Sequence, residues 1–249
     1  MSFRITLNPF TRSLITHPCW NMTFDELQQI IGVTFKNQDQ LKAAFIHRSY
    51  LNEKRTIKES NERLEFLGDA VLSFLTSEFL YKTYPDYPEG TLTNIRSSLV
   101  KTKSLATRAQ ELCLGELLFL SRGEEESGGR KNVSLMADTF EALLGALYLD
   151  QGIEAARAFL TAQLFMQTAE IVQTKAYIDY KSLLQEIVQE QKKISPTYRV
   201  VKSEGPDHDK IFWVEAMMGE KVLGEGQGKS KQEAEQSAAV NALEKQKKT

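Results

Sequence analysis

The apolar residues of this chain repeat with a helical period from Phe24 to about Thr168, and near Lys175 that pattern gives way to another. A chain that changes period in this way folds as an all-helical region followed by something else. In the first part, "FDELQQIIG" follows Thr23, an N-cap residue, and stops at Gly32. "LKAAFIHRSYL" reads as a second helix, and "NERLEFLGDAVLSFLTSEFLYKTY" as a long third one ended by Pro85. "GTLTNIRSSLVKTKSLATRAQEL" gives one or two more, with Gly90 marking the start. "SRGEEESGGRKN" reads as a polar loop. "SLMADTFEALLGALYLDQG" and "IEAARAFLTAQLFMQTAEIV" then close the helical region.

The remainder reads differently. "DYKSLLQEIVQEQ" is an amphipathic helix. "TYRVVKSEG", "IFWVEAMMG" and "EKVLGEGQG" are β-rich runs, and "SKQEAEQSAAVNALEKQ" is a helix with alanines on one face. The order α-β-β-β-α in about 70 residues predicts a separate small α+β domain. The expected organisation is an extension over 1–22, an all-α domain over 23–172 and the α+β domain over 177–247.

With 249 residues and 41 % hydrophobic content, there is enough apolar material for two cores. No apolar run reaches the roughly 18 residues of a membrane span, so no membrane partner is expected. The first twenty residues lack the apolar core of a secretory signal. Their arginines Arg4 and Arg12, with no acid before Asp25, leave a transit peptide open beside a frayed extension. Cys19 and Cys113 offer neither metal-ligand spacing nor a disulfide framework, which suits a reducing cytoplasm. The formal charge is −2, from 31 basic and 33 acidic residues, so nucleic-acid binding would have to rest on local patches.

Chemistry concentrates in two helices. In the third, Glu62, Glu65 and Asp69 are spaced i, i+3, i+7 and fall within an arc of roughly 60°. Leu64, Leu67, Val71, Leu72 and Leu75 lie mostly on the opposite side. No Lys or Arg sits four residues on from Glu62 or Glu65 to relieve the repulsion. In "LMADTFEALLGALYLD", Asp138 and Glu141 share a face, with Leu135, Leu143, Leu144, Leu147 and Tyr148 as expected core. The acids could be two solvated faces. If the two spots meet instead, the cluster repels itself unless divalent cations occupy it, and oxygen-only ligands suit Mg²⁺ or Mn²⁺.

These residues carry a resemblance. "NERLEFLGDAVL" resembles the signature of the ribonuclease III family, and "ADTFEALLGALYLD" its second acidic motif. The loop ending "SGGRKN" is similar to bacterial members, and the tail resembles a double-stranded-RNA-binding domain. The likeness runs from about residue 24 to 246. It implies a double-strand-specific endoribonuclease with Glu65, Asp69, Asp138 and Glu141 as ligands of Mg²⁺, for which Mn²⁺ can substitute, and no small-molecule cofactor. Glu62 matches a further acid that the family places at the edge of the site, near RNA. The implied reaction is hydrolysis by a water activated at the ions, leaving a 5′ phosphate and a 3′ hydroxyl. No Ser, Cys or His nucleophile is required, and His47 reads as structural.

Phe66 lies on the acidic side of its helix, where an aromatic should not stay in water. The family's matching residue plugs a socket on a second subunit, which implies a homodimer. The alternative is a Phe66 folded into its own core. In the tail, the resemblance points to RNA contacts by Gln185 and Gln189, four apart on one helix face, and by His208 in the "GPDHDK" loop. Lys229, Ser230 and Lys231 stand at a helix start that favours phosphate. Gln232 replaces a lysine usual in the family, so weaker, salt-sensitive binding is expected. Arg96 is either a phosphate contact or a surface charge. Two other functions compete: a non-cleaving double-stranded-RNA-binding regulator, and an acidic dimerisation module fused to a binding domain. A pure binder has no need of five intact acids.

Overall fold

The computed structural model describes residue 19 and residues 21–206 and 209–247, and these fall into two compact units, Met1–Tyr177 and Ile178–Thr249. The first is helical. Helix α1 (Phe24–Ile31) begins where Thr23 and Glu26 form a reciprocal capping box and ends at Gly32, in the left-handed region at φ 68°. Helices α2 (Gln38–Ala43), α3 (Glu62–Thr83), α4 (Glu89–Val100), α5 (Thr102–Glu111), α6 (Leu114–Leu117) and α7 (Arg122–Glu126) follow. Then come α8 (Val133–Gln151), α9 (Ile153–Gln163) and α10 (Thr168–Thr174). The fully buried Leu72, Leu75, Phe140, Leu143, Leu144 and Leu147 place α3 and α8 at the centre of the core.

Several local expectations need correction. The second predicted helix stops at Ala43. Phe45 and Ile46 leave helical geometry because Phe119 N–H donates to Phe45 O at 2.9 Å, His47 N–H to Phe119 O at 3.2 Å, and Ile46 bridges Phe119 in parallel. A short 3₁₀ turn, Arg48–Asn52, replaces the predicted final turn. The "SRGEEESGGRKN" segment is not all loop, since Ser121 caps α7 and Gly129–Lys131 forms a 3₁₀ turn. Leu135, expected in the core, is half exposed.

The cysteine reading is also overturned: Cys19 and Cys113, 94 residues apart, form a disulfide with Cα atoms 5.5 Å apart. Spacing along the chain could not reveal this. Phe24, the first residue of α1, packs edge-on to Phe45 at 5.2 Å and stacks on Phe119 at 6.3 Å. Cysteine usage therefore no longer argues for a reducing compartment. Among the described residues no helix is long and apolar enough to cross a membrane.

The second unit consists of α11 (Tyr180–Lys192), β1 (Thr197–Glu204), β2 (Ile211–Met218), β3 (Lys221–Gly228) and α12 (Lys231–Lys247). The strands pair antiparallel in the order β1-β2-β3, with Val200 opposite Val214 and an irregularity between Val200 and Lys202. Leu184 and Val188 of α11 and Ala234, Ala238, Ala239 and Ala242 of α12 bury against Val214, Ala216 and Leu223. The alanine face lets α12 lie so close to β3 that a Cβ on Gly226 would come within 2.1 Å of Ala238 N. Two cores, one helical and one α+β, are the fold class that the change of period predicts.

Candidate active site

The acidic stretch of α3 is fixed at its start by Asn61. This side chain is buried; its Nδ2 donates to Ala44 O at 3.1 Å and its backbone N–H to Ile46 O at 2.8 Å. The start of α8 is fixed by Asn132, whose Oδ1 accepts from Ser134 N–H at 2.9 Å and Leu135 N–H at 3.3 Å. Between these ends the two helices touch backbone to backbone. A Cβ on Gly68 would lie 1.9 Å from Glu141 O, and one on Gly145 would lie 2.2 Å from Leu64 O. Two glycines, one on each helix, thus permit a crossing that puts the acidic face of α3 against that of α8.

The electrostatics record the convergence. Burial first, and then the charges of Asp69, Glu65 and Asp138, push the Glu141 carboxyl up to about 8. Burial, followed by Asp138, Glu62 and Asp69, raises Glu65. Asp138 is raised by burial, against an opposing pull from His47. Among the described residues no Lys or Arg forms an ion pair with Glu65, Asp69, Asp138 or Glu141. Glu62 is the exception: Arg48 Nη1 lies 3.9 Å from its Oε1, and Ser60 Oγ donates to it at 2.7 Å. The five predicted acids are therefore brought together, with Glu62 at the edge.

A cleft of about 740 Å³ opens beside the cluster, and its lining includes Glu62, Glu65 and Asp138 together with His47, Arg48 and Asn132. An all-oxygen donor set of this charge fits a hard divalent cation. Among the described residues no three His, Cys, Asp or Glu side chains already stand at ion-holding separation. Sequence reasoning missed Asn61, Arg48 and the glycine pair. Asn61 had a signal, since it opens the acidic stretch as a polar residue before a helix.

Phe66 is 80 % exposed, so the alternative of a Phe66 folded into its own core is excluded. Phe74 and Tyr81 are also exposed and share its stripe of α3 within about 80°. Arg96 is half-buried, and its Nη1 donates to Ser77 Oγ at 2.9 Å, so it is engaged within the fold.

In the second unit Gln185 and Gln189 are exposed on one face of α11, with Gln189 Nε2 donating to Ser195 Oγ at 2.8 Å. Lys229, Ser230, Lys231 and Gln232 are exposed at the start of α12. There Ser230 Oγ accepts from Glu233 N–H at 3.1 Å, and the Glu233 carboxylate accepts from Lys229 N–H at 2.8 Å. Lys229 Nζ also lies 3.6 Å from Asp209. The chain's own acids thus sit at the helix end that would draw a phosphate. His208 lies outside the described residues.

A family model described as "Ribonuclease-III-like" matches residues 37–168, and one for a double-stranded RNA binding motif matches residues 180–246. The chain is 45 % identical over 227 residues to Ribonuclease 3 of Enterococcus faecalis, covering 90 % of this chain and 97 % of that one. It is 47 % identical over 223 residues to Ribonuclease 3 of Bacillus licheniformis, covering 89 % of each. The solved nuclease domain of ribonuclease III from Campylobacter jejuni superposes with a TM-score of 0.52 at 36 % identity, over 57 % of this chain and 95 % of that one. With both domain models matched in order and relatives aligned along nearly their whole length, the chain belongs to the ribonuclease III family.

Proposed function

We propose that this endoribonuclease is divalent-metal-dependent and hydrolyses phosphodiester bonds in double-stranded RNA, leaving 5′-phosphate and 3′-hydroxyl ends. We place it, as a homodimer, in processing of ribosomal precursor and messenger RNA and in RNA decay. The observation that carries the reading is the four-carboxylate cluster, with no Lys or Arg ion pair among the described residues, in which burial and three neighbouring acids hold Glu141 up to about 8. Such an arrangement is costly for the fold alone and suits a site that takes up positive charge on binding.

Glu65, Asp69, Asp138 and Glu141 would hold the ions. Bound Mg²⁺ or Mn²⁺ would activate water and offset the charge that develops on the phosphoryl group. Glu141 would release its proton as the cation arrives, and Asn61 and Asn132 would keep the two helix starts from drifting. Glu62, paired with Arg48, would border the strand rather than ligate. The matched double-stranded RNA binding motif supports capture of duplex through Gln185, Gln189, Lys229, Ser230 and Lys231. A homodimer is supported by the exposed Phe66, Phe74 and Tyr81 stripe, and by the Campylobacter jejuni structure, which is described as having a region involved in dimer formation.

The test incubates pure protein with a long RNA duplex, the matching single strand and a DNA duplex, each with Mg²⁺ or with chelator. Cleavage of the RNA duplex alone, only with the ion, is expected. Binding without cleavage under both Mg²⁺ and Mn²⁺ would make the chain a non-cleaving regulator.

A further inference from the structure

His47 has no part in the mechanism above, yet its ring lines the cleft beside the acids. It precedes the 3₁₀ turn Arg48–Asn52 and acts as its N-cap: Nδ1 accepts from Ser49 N–H at 3.3 Å. A backbone N–H can only donate, so this contact fixes Nδ1 as an acceptor and leaves the hydrogen on Nε2. A second bond enforces the same choice. Ser49 Oγ lies 2.8 Å from Nδ1 and accepts from Ser121 N–H at 3.0 Å, so its own hydrogen is free to go to Nδ1. The order Ser121 N–H, Ser49 O–H, His47 Nδ1 therefore holds the ring from one edge.

The other edge is unused. Among the described residues Nε2 has no hydrogen-bond partner, and the ring stands near enough to Asp138 to act on its carboxyl. A phosphodiester that enters this cleft meets Glu62, Glu65 and Asp138, all of which repel it. It needs donors, and the same lining offers the side chains of His47 and Arg48. Arg48, next in sequence, is drawn toward Glu62. His47 offers a donor that is already oriented and so loses little freedom on binding.

We infer that His47 is a catalytic residue that touches substrate: its Nε2–H donates to a phosphate oxygen of the RNA strand held against the acidic cluster. The inference rests on the endoribonuclease reading. It assigns the imidazole no nucleophilic or proton-transfer step.

His47→Asn separates the two roles of the ring. Asparagine is a favoured N-cap whose Oδ1 can accept from Ser49 N–H, but it is too short to reach the strand. The variant should keep its melting temperature and lose about 10- to 100-fold in kcat/KM on duplex RNA at saturating Mg²⁺, as expected for one lost hydrogen bond to a charged group. His47→Gln returns an amide N–H at longer reach and should cut within a few-fold of the parent. Parental cleavage by His47→Asn would leave His47 as a cap alone and overturn the inference. So would a loss in His47→Asn that tenfold more Mg²⁺ restores, which would place the effect on the ion. Equal impairment of the Asn and Gln variants would overturn it as well, and this comparison decides even if the Asn variant folds poorly. A parent protein that cuts no duplex fails the endoribonuclease reading instead, a separate result.

Discussion

Gly68→Ala tests the crossing on which the acidic cluster depends. The added Cβ would sit 1.9 Å from Glu141 O, whereas an ordinary contact begins near 3.4 Å. Both clashing partners are helical backbone, so no flexible side chain can yield, and α3 and α8 must part locally by about 1.5 Å. Overpacking of this kind costs roughly 3 kcal/mol, and better helix propensity returns about 1 kcal/mol. A net loss of about 2 kcal/mol lowers the melting temperature by about 4–8 °C for a protein of this size. The same separation moves Glu141 and Asp138 away from Glu65 and Asp69, and a misplacement near 1 Å costs about 100-fold in rate. The assay pairs thermal unfolding with duplex cleavage across a Mg²⁺ series. Gly90→Ala is the control, because a Cβ there meets nothing within 4 Å. A Gly68→Ala protein with parental melting and parental cleavage would refute the claim that this glycine sets the geometry of the site.

Four further outcomes are expected. Glu141 keeps its proton to about pH 8 in the metal-free fold but loses it near 4.5 when unfolded. Across that window the folded state holds the extra proton, so stability is full below about pH 4.5 and falls as pH rises toward 8. The full displacement is worth about 5 kcal/mol, and solvent screening of a partly exposed carboxyl leaves roughly 2 kcal/mol. Urea melts at several pH values should show this slope with chelator and a flatter one with Mg²⁺. Glu141→Gln should flatten it without the ion and lose cleavage by orders of magnitude while still binding duplex in a gel-shift assay. Phe66→Ala should weaken self-association by about 2–4 kcal/mol, seen as a monomer by analytical ultracentrifugation at concentrations where the parent is paired. Gln232→Lys should carry cleavage to higher salt, and superimposable rate-versus-salt curves would show that the start of α12 does not capture substrate.

Much of this was legible in the sequence because it is local. Thr23, Gly32 and Pro85 mark helix ends through backbone chemistry that any context preserves. The i, i+3, i+7 spacing puts three acids on one face wherever the helix goes. What the sequence hid is set by distant partners. The break after Ala43 exists because Phe119, more than seventy residues on, takes the hydrogen bonds of Phe45 and His47. Arg48 reaches Glu62 only through that break. Gly145 looks like a flaw in an apolar helix until Leu64 O is seen against it. The Cys19–Cys113 bond likewise joins residues 94 apart, which no local pattern around either cysteine announces.

The exposed Phe66 stands between Glu62 and Glu65 on one side and Asp69 on the other, within two turns of a single rigid helix. A surface that covers that ring would lie next to these acids, so its fit could change with their charge. Free energies of this kind are reciprocal: if occupation of the cluster by cations eases pairing of two copies, pairing must raise affinity for the cations by the same factor. Activity per molecule would then climb with protein concentration faster than substrate capture alone allows, and dilution would switch the protein off by loosening its hold on metal.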